Sequence, residues 1–184
     1  MKRKQRQSLD ADFSAFVVSK GRQLVRLAEL LTGDPHRAAD LVQSALERAY
    51  PQWHRITADD PTAYVRRIVV NQHRDWWRRL RNRELPSELR LEEADPEDMT
   101  ERHAQRSLVL GALARLTVRE RTVVVLRYYG DLSEAQIAAE LGIALGTVKS
   151  TLHRALAKLR AFPDLLGRLP SESADPCTKS EVSV

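Results

Sequence analysis

The feature that most constrains this chain is how its charge is distributed along its length. Residues 84–106, ELPSELRLEEADPEDMTERHAQR, carry eight acidic side chains against three basic ones, with two prolines and few large apolar residues. On either side the balance reverses: residues 1–83 hold 17 Lys and Arg against 9 Asp and Glu, and residues 107–162 hold 8 against 4. A stretch so acidic and so poor in apolar surface cannot bury enough to offset the entropy of ordering it, so it reads as a connector between two basic folding units. The organisation expected is a first domain at 10–82, an acidic linker at 83–106, a second domain at 107–162 and a flexible tail at 163–184, rich in Ser, Pro and acid.

Both units are expected to be helical, giving an all-α protein of two small domains. No stretch alternates apolar and polar residues for long, and the β-branched run at 123–125 sits inside a helical pattern. Asp34-Pro35, Asp60-Pro61 and Asp95-Pro96 each place an acid cap before a proline that suits the first helical turn.

In the first unit, residues 35–50 put Ala38, Leu41, Val42, Ala45, Leu46 and Ala49 on one face, with Asp40, Gln43, Ser44 and Glu47 outward. Residues 53–60, opening on Trp53, form a short loop before the next helix. On a wheel of about 100° per residue, residues 61–81 gather Val65, Ile68, Val69, Gln72, Trp76 and Leu80 on the expected buried face. Arg67, Asn71, Arg74, Arg78 and Arg81 fall opposite, as a cationic row with a single acid, Asp75, nearby. A solvated face would normally mix its charges for pairing, so the row points to phosphate contact.

The second unit carries a sharper pattern. Thr117-x-x-Glu120 and Ser133-x-x-Gln136 match the capping box, marking two helix starts. The helix at 133–141 turns Ile137, Ala138 and Leu141 inward and stops at Gly142, which accepts the left-handed conformation. The helix at 145–161 then buries Val148, Leu152, Ala155, Leu156 and Leu159 and leaves Lys149, Ser150, His153, Arg154 and Lys158 outside. No acid occurs from 141 to 160. Two helices across a tight turn, the second with a cationic and hydroxyl-bearing outer face, is the layout of a DNA-binding helix-turn-helix.

Other chemistry is poorly supported. Cys177 is the one cysteine, and His36, His54, His73, His103 and His153 are scattered, so no disulfide, cofactor or metal site is assigned. The acids concentrate in the connector, leaving no clustered carboxylates for a nuclease or recombinase, and no catalytic residue is assigned. The basic start MKRKQRQSLDADF lacks the apolar core of a secretory signal, and no apolar run nears the roughly 20 residues of a membrane span, so a cytoplasmic protein is expected. A one-component helix-turn-helix regulator is the alternative reading, but neither a dimer interface nor an effector pocket is visible in the sequence.

Taken together, DLVQSALERAY followed by Trp53, then DPTAYVRRIVVNQHRDWWRR, an acidic linker and LSEAQIAAELGIALGTVKSTLHRALAKLR resemble regions 2 and 4 of extracytoplasmic-function RNA polymerase sigma factors, in particular the envelope-stress subgroup of high-GC Gram-positive bacteria. The resemblance covers nearly all of 13–162. It implies that Asp40, Gln43 and Glu47 dock on the clamp of the polymerase largest subunit, and that the 53–60 loop with Arg67, Asn71, Arg74 and Arg78 reads and holds the minus-ten element. It implies further that Lys149, Ser150, His153 and Arg154 meet the minus-thirty-five element while the second domain touches the flap of the second-largest subunit, and that the linker follows the RNA exit path. An anti-sigma factor is a further partner that the resemblance admits. Ala144 departs from the pattern, standing where many relatives place a Ser, which forgoes an N-cap of roughly 1 kcal/mol.

Overall fold

The computed structural model describes residues 2–56, 60–81 and 101–161, with side chains placed for 7–56, 60–80 and 105–161. The acidic stretch 82–100 and the tail from 162 lie outside the described residues. Among the described residues every regular element is helical.

Helix α1, Lys2–Thr32, begins ahead of residue 10 and buries Phe16, Leu24, Leu27, Ala28, Leu30 and Leu31. It ends where Gly33 takes φ 76°, a backbone state that costs an L side chain energy and glycine none. Asp34 then caps α2, Pro35–Ala49, its Oδ1 accepting the N–H groups of His36 at 2.8 Å and Arg37 at 3.2 Å. A 3₁₀ turn, Tyr50–Gln52, leads into the single turn of α3, Trp53–Ile56, so the expected 53–60 loop opens in helical form. Trp53 is buried edge-on against Phe13 and tilted against Phe16, with centroids 5.0 and 4.8 Å away. Rings packed this way add about 0.5–1.5 kcal/mol per pair to their burial.

Asp60 Oδ1 accepts the Ala63 N–H at 3.0 Å and opens α4, Pro61–Arg81. Its buried face differs from the expected one. Val65, Val69, Val70 and His73 are the buried residues, Ile68, Gln72 and Leu80 are half-buried, and Trp76 is 38% exposed under the Arg37 guanidinium, 4.9 Å from its ring centroid. The wheel assumed one packing partner. In the structure α4 packs against α6 as well as α1 and α2, which widens and rotates the buried arc.

Helix α5, Glu101–Ala114, starts inside the stretch read as linker. Both capping boxes form: Thr117 and Glu120 open α6, Val118–Val124, and Ser133 and Gln136 open α7, Glu134–Leu141. Helix α6 runs directly into a π-helical segment, Val125–Tyr129, where Gly130 N–H reaches the Val125 carbonyl at 2.9 Å. A Cβ on Gly130 would lie 2.8 Å from the Leu126 oxygen and 2.9 Å from Leu132 Cδ1, so the π segment closes on a position only glycine fits. Gly142 closes α7 at φ 63°, and α8, Leu145–Arg160, follows with Ala144 at its cap making no side-chain bond. Helices α1–α4 and α5–α8 form two groups, and the buried apolar residues of both make one continuous cluster. No helix among the described residues is long and apolar enough to cross a membrane.

Candidate nucleic-acid interface

The recognition helix is positioned from beneath. Val148, Leu152 and Ala155 are buried against α6 and α7, and Leu156 and Leu159 are half-buried. The periodicity of these residues dictates which side chains remain outside: Lys149, Ser150, His153 and Arg154 are all exposed, on consecutive turns of one face. Lys158, expected beside them, donates instead to both Glu120 oxygens at 2.9 and 2.8 Å, tying α8 to the start of α6. On α7, Ala138 is half-buried against the core while its neighbour Ala139 is exposed. The outer face of α8 is therefore cationic, acid-free and held on a fixed axis.

On α4 the row Arg67, Asn71, Arg74 and Arg78 is exposed along its length, and the side chain of Arg81 lies outside the described residues. Arg78 pairs with Asp75 at 3.1 Å, and both are well exposed, so this pair is weak. Asp40, Gln43 and Glu47 are exposed on α2, where Gln43 donates to Glu47 at 3.0 Å. Gln43 and Glu47 flank an apolar groove between α1 and α2 whose floor includes Phe13, Val17, Val42 and Leu46. The three sets expected from the sequence are thus exposed on three different helices, α2, α4 and α8.

A model of the sigma-70 region 2 family matches residues 16–83, and one of sigma-70 region 4 matches residues 106–159. The chain belongs to the sigma-70 family. It is 44% identical over 153 residues to the RNA polymerase sigma-E factor of Streptomyces coelicolor, covering 81% of this chain and 84% of that protein. It is 38% identical over 149 residues to the extracytoplasmic-function sigma factor SigL of Mycobacterium tuberculosis, covering 78% and 84%. The solved structure of CnrH in complex with the cytosolic domain of CnrY matches at 25% identity and a TM-score of 0.59, over 85% of this chain and 90% of that one. The Bartonella quintana sigma factor RpoE, solved with the anti-sigma factor NepR, shares the fold at 23% identity and a TM-score of 0.61, over 85% and 98%. This sigma factor is thus of the extracytoplasmic-function type, an alternative sigma factor that directs transcription initiation.

Reading the sequence missed a further set of polar residues, those between the two helix groups of the sigma factor. Arg66 on α4 holds Glu140 on α7 through Nε at 3.2 Å and Nη2 at 3.0 Å. Arg74 Nη1 donates to the Leu141 carbonyl at 3.1 Å, and Arg121 Nη1 donates to the Leu31 carbonyl at 3.1 Å. Arg106, placed in the linker by composition, donates through Nε to Glu29 at 2.7 Å. One signal for this seam was present. Glu140 lies three residues after the buried Ile137 and so on the inward face of α7, where an acid needs a partner.

Proposed function

We propose that this sigma factor binds core RNA polymerase through α2 and reads promoters through α4 and α8, with the flanking elements setting those surfaces in place. The observation that carries the reading is the exposed, acid-free outer face of α8, with Lys149, Ser150, His153 and Arg154 on a helix whose opposite face buries Val148, Leu152 and Ala155. Such a helix presents its N-terminal half to base edges in the major groove, here those of the minus-thirty-five element. Arg67, Asn71, Arg74 and Arg78 hold the minus-ten element, giving one chain two separated contacts along promoter DNA. Asp40, Gln43 and Glu47, with the apolar groove that Gln43 and Glu47 border, dock on the clamp of the largest subunit, while the second domain meets the flap of the second-largest. The working units are 10–82 and 107–162, joined by 83–106 and followed by the tail at 163–184. An anti-sigma factor is a further partner, by likeness to the Bartonella quintana RpoE solved with NepR, and the protein works in the cytoplasm without enzymatic activity or cofactor.

Transcription in vitro tests this reading. Promoters are first mapped by sequencing transcript 5′ ends after overexpression, then transcribed with purified core polymerase. Initiation at those promoters that depends on adding the chain is the expected result. Core that initiates no differently with the chain present, while the chain alone binds the same DNA tightly and sequence-specifically at physiological salt, would instead identify a one-component regulator.

A further inference from the structure

The first turn of α8 holds two residues that the packing of the chain does not explain. Leu145 is 43% exposed, although the apolar residues that secure this end of the helix, Ile143 and Val148, already belong to the core cluster or pack against it, and Leu145 takes no part in it. Gly146 follows. A Cβ there would meet no atom of the described residues within 4 Å, and its backbone is not left-handed, so alanine would fit and would favour the helix more. Gly130 shows the contrast, since there the chain's own Leu126 and Leu132 exclude a side chain.

Both residues lie on the outer face of the helix. Lys149 stands one turn after Leu145, and Ser150 one turn after Gly146, both of them exposed. A glycine among them leaves a notch in that face, and close approach of a ligand to the backbone is a physical reason for glycine where the fold asks for none. Close approach also matters to a leucine, whose apolar contacts act only within about 4.5 Å. Leu145 has neither donor nor acceptor. The major groove identifies bases by donors and acceptors with one exception, the C5-methyl group of thymine.

We propose that Leu145 is a specificity-determining residue that packs on the methyl group of one thymine in the minus-thirty-five element, with the notch at Gly146 admitting the base edge to it. The proposal rests on the reading of α8 as the recognition helix. Lys149, Ser150, His153 and Arg154 all carry polar groups, so Leu145 adds a check for an A·T pair that their hydrogen bonds do not make.

Replacing thymine by uracil keeps every hydrogen-bonding group and removes only the methyl. A mapped promoter is built with each thymine of the minus-thirty-five element, on either strand, changed singly to deoxyuridine. Each such template competes with the parent template, made to give a transcript of different length, for limiting holoenzyme assembled from core polymerase and the full chain. At one thymine the parent chain should prefer the methylated template by about fourfold, the factor that burying one methyl group is worth. Leu145→Ala should use the thymine template less well and show no preference between the two. Gly146→Ala, which the helix tolerates, should lose the preference as well, because its methyl holds the base edge away. Lys149→Ala should lower use of both templates and keep the preference. Circular dichroism melts establish that the variants fold as the parent does.

No thymine at which the parent prefers the methyl, or a preference that Leu145→Ala retains, overturns the contact. Activity lost equally on thymine and uracil templates by Leu145→Ala, where the parent discriminates, also overturns it and assigns Leu145 to polymerase. A preference that survives Gly146→Ala refutes the notch. If Lys149→Ala lowers use of the element while Leu145→Ala does not, the methyl contact fails and the recognition helix stands; if neither variant has an effect, the reading of α8 fails with it.

Discussion

The Glu120 carboxylate accepts the Thr117 backbone N–H at 2.9 Å and the Lys158 ammonium at 2.8 Å through the same oxygen. A capping-box residue thereby anchors the C-terminal half of the recognition helix, and the start of α6 becomes part of what aims α8. Burial alone would push the Glu120 carboxyl upward. The bonds from Lys158 and Thr117 outweigh it and hold the group below its ordinary 4.5.

Glu120→Gln should therefore lower stability by about 1–2 kcal/mol, read as a smaller urea midpoint at unchanged slope. Lys158→Met, which removes a half-exposed partner, should cost about 0.5 kcal/mol. Because the folded value lies below the unfolded one, this carboxylate contributes its stability above about pH 4.5 and loses it as the pH falls through the lower folded value. The Gln variant should not show that loss.

His73 gives the opposite group type and a higher window. It is 2% exposed, its Nε2 has no hydrogen-bond partner among the described residues, and burial, aided by the positive charge of Arg121, lowers it from 6.5 to about 4. Between those values the unfolded chain takes up a proton that the folded chain refuses. Stability should then be full above pH 6.5 and decline by on the order of 3 kcal/mol as the pH falls towards 4. Urea unfolding at pH 7.0 and 5.0 measures it, and His73→Leu should flatten the difference.

Asn71 separates a contact with DNA from a structural role. The side chain is exposed, so Asn71→Ala should leave the melting curve within about 0.5 kcal/mol of the parent. Permanganate footprinting of a promoter should nonetheless show fewer reactive thymines if Asn71 holds the opened strand. Lowered stability with normal reactivity per folded molecule would refute that role.

On α8, Lys149→Ala and Arg154→Ala should each weaken use of the minus-thirty-five element by about 1–3 kcal/mol if the side chains reach base edges. Binding to core polymerase, measured by native gel or fluorescence, should survive both. Normal transcription by both variants from a promoter with two elements would move the recognition surface elsewhere.

Local chemistry made much of this protein legible from its sequence. The capping boxes at Thr117 and Ser133, the left-handed Gly142 and the acid-proline helix starts at Asp34 and Asp60 are decided by groups a few residues apart, so the residues alone specify them, while Asp95-Pro96 lies outside the described residues. The outer face of α8 follows equally directly, because α8 has one packed side and a 3.6-residue period fixes the other. Helix α4 was different: its second partner, α6, lies far along the chain, and only the packing of both neighbours buries Val70 and His73 and frees Trp76. The same holds for Arg66 with Glu140, 74 residues apart, and for Arg121 with the Leu31 carbonyl, 90 apart. Charge and periodicity say which residues can face outward, but a contact across the seam depends on the relative placement of two helix groups, which no local pattern encodes and only the tertiary structure decides.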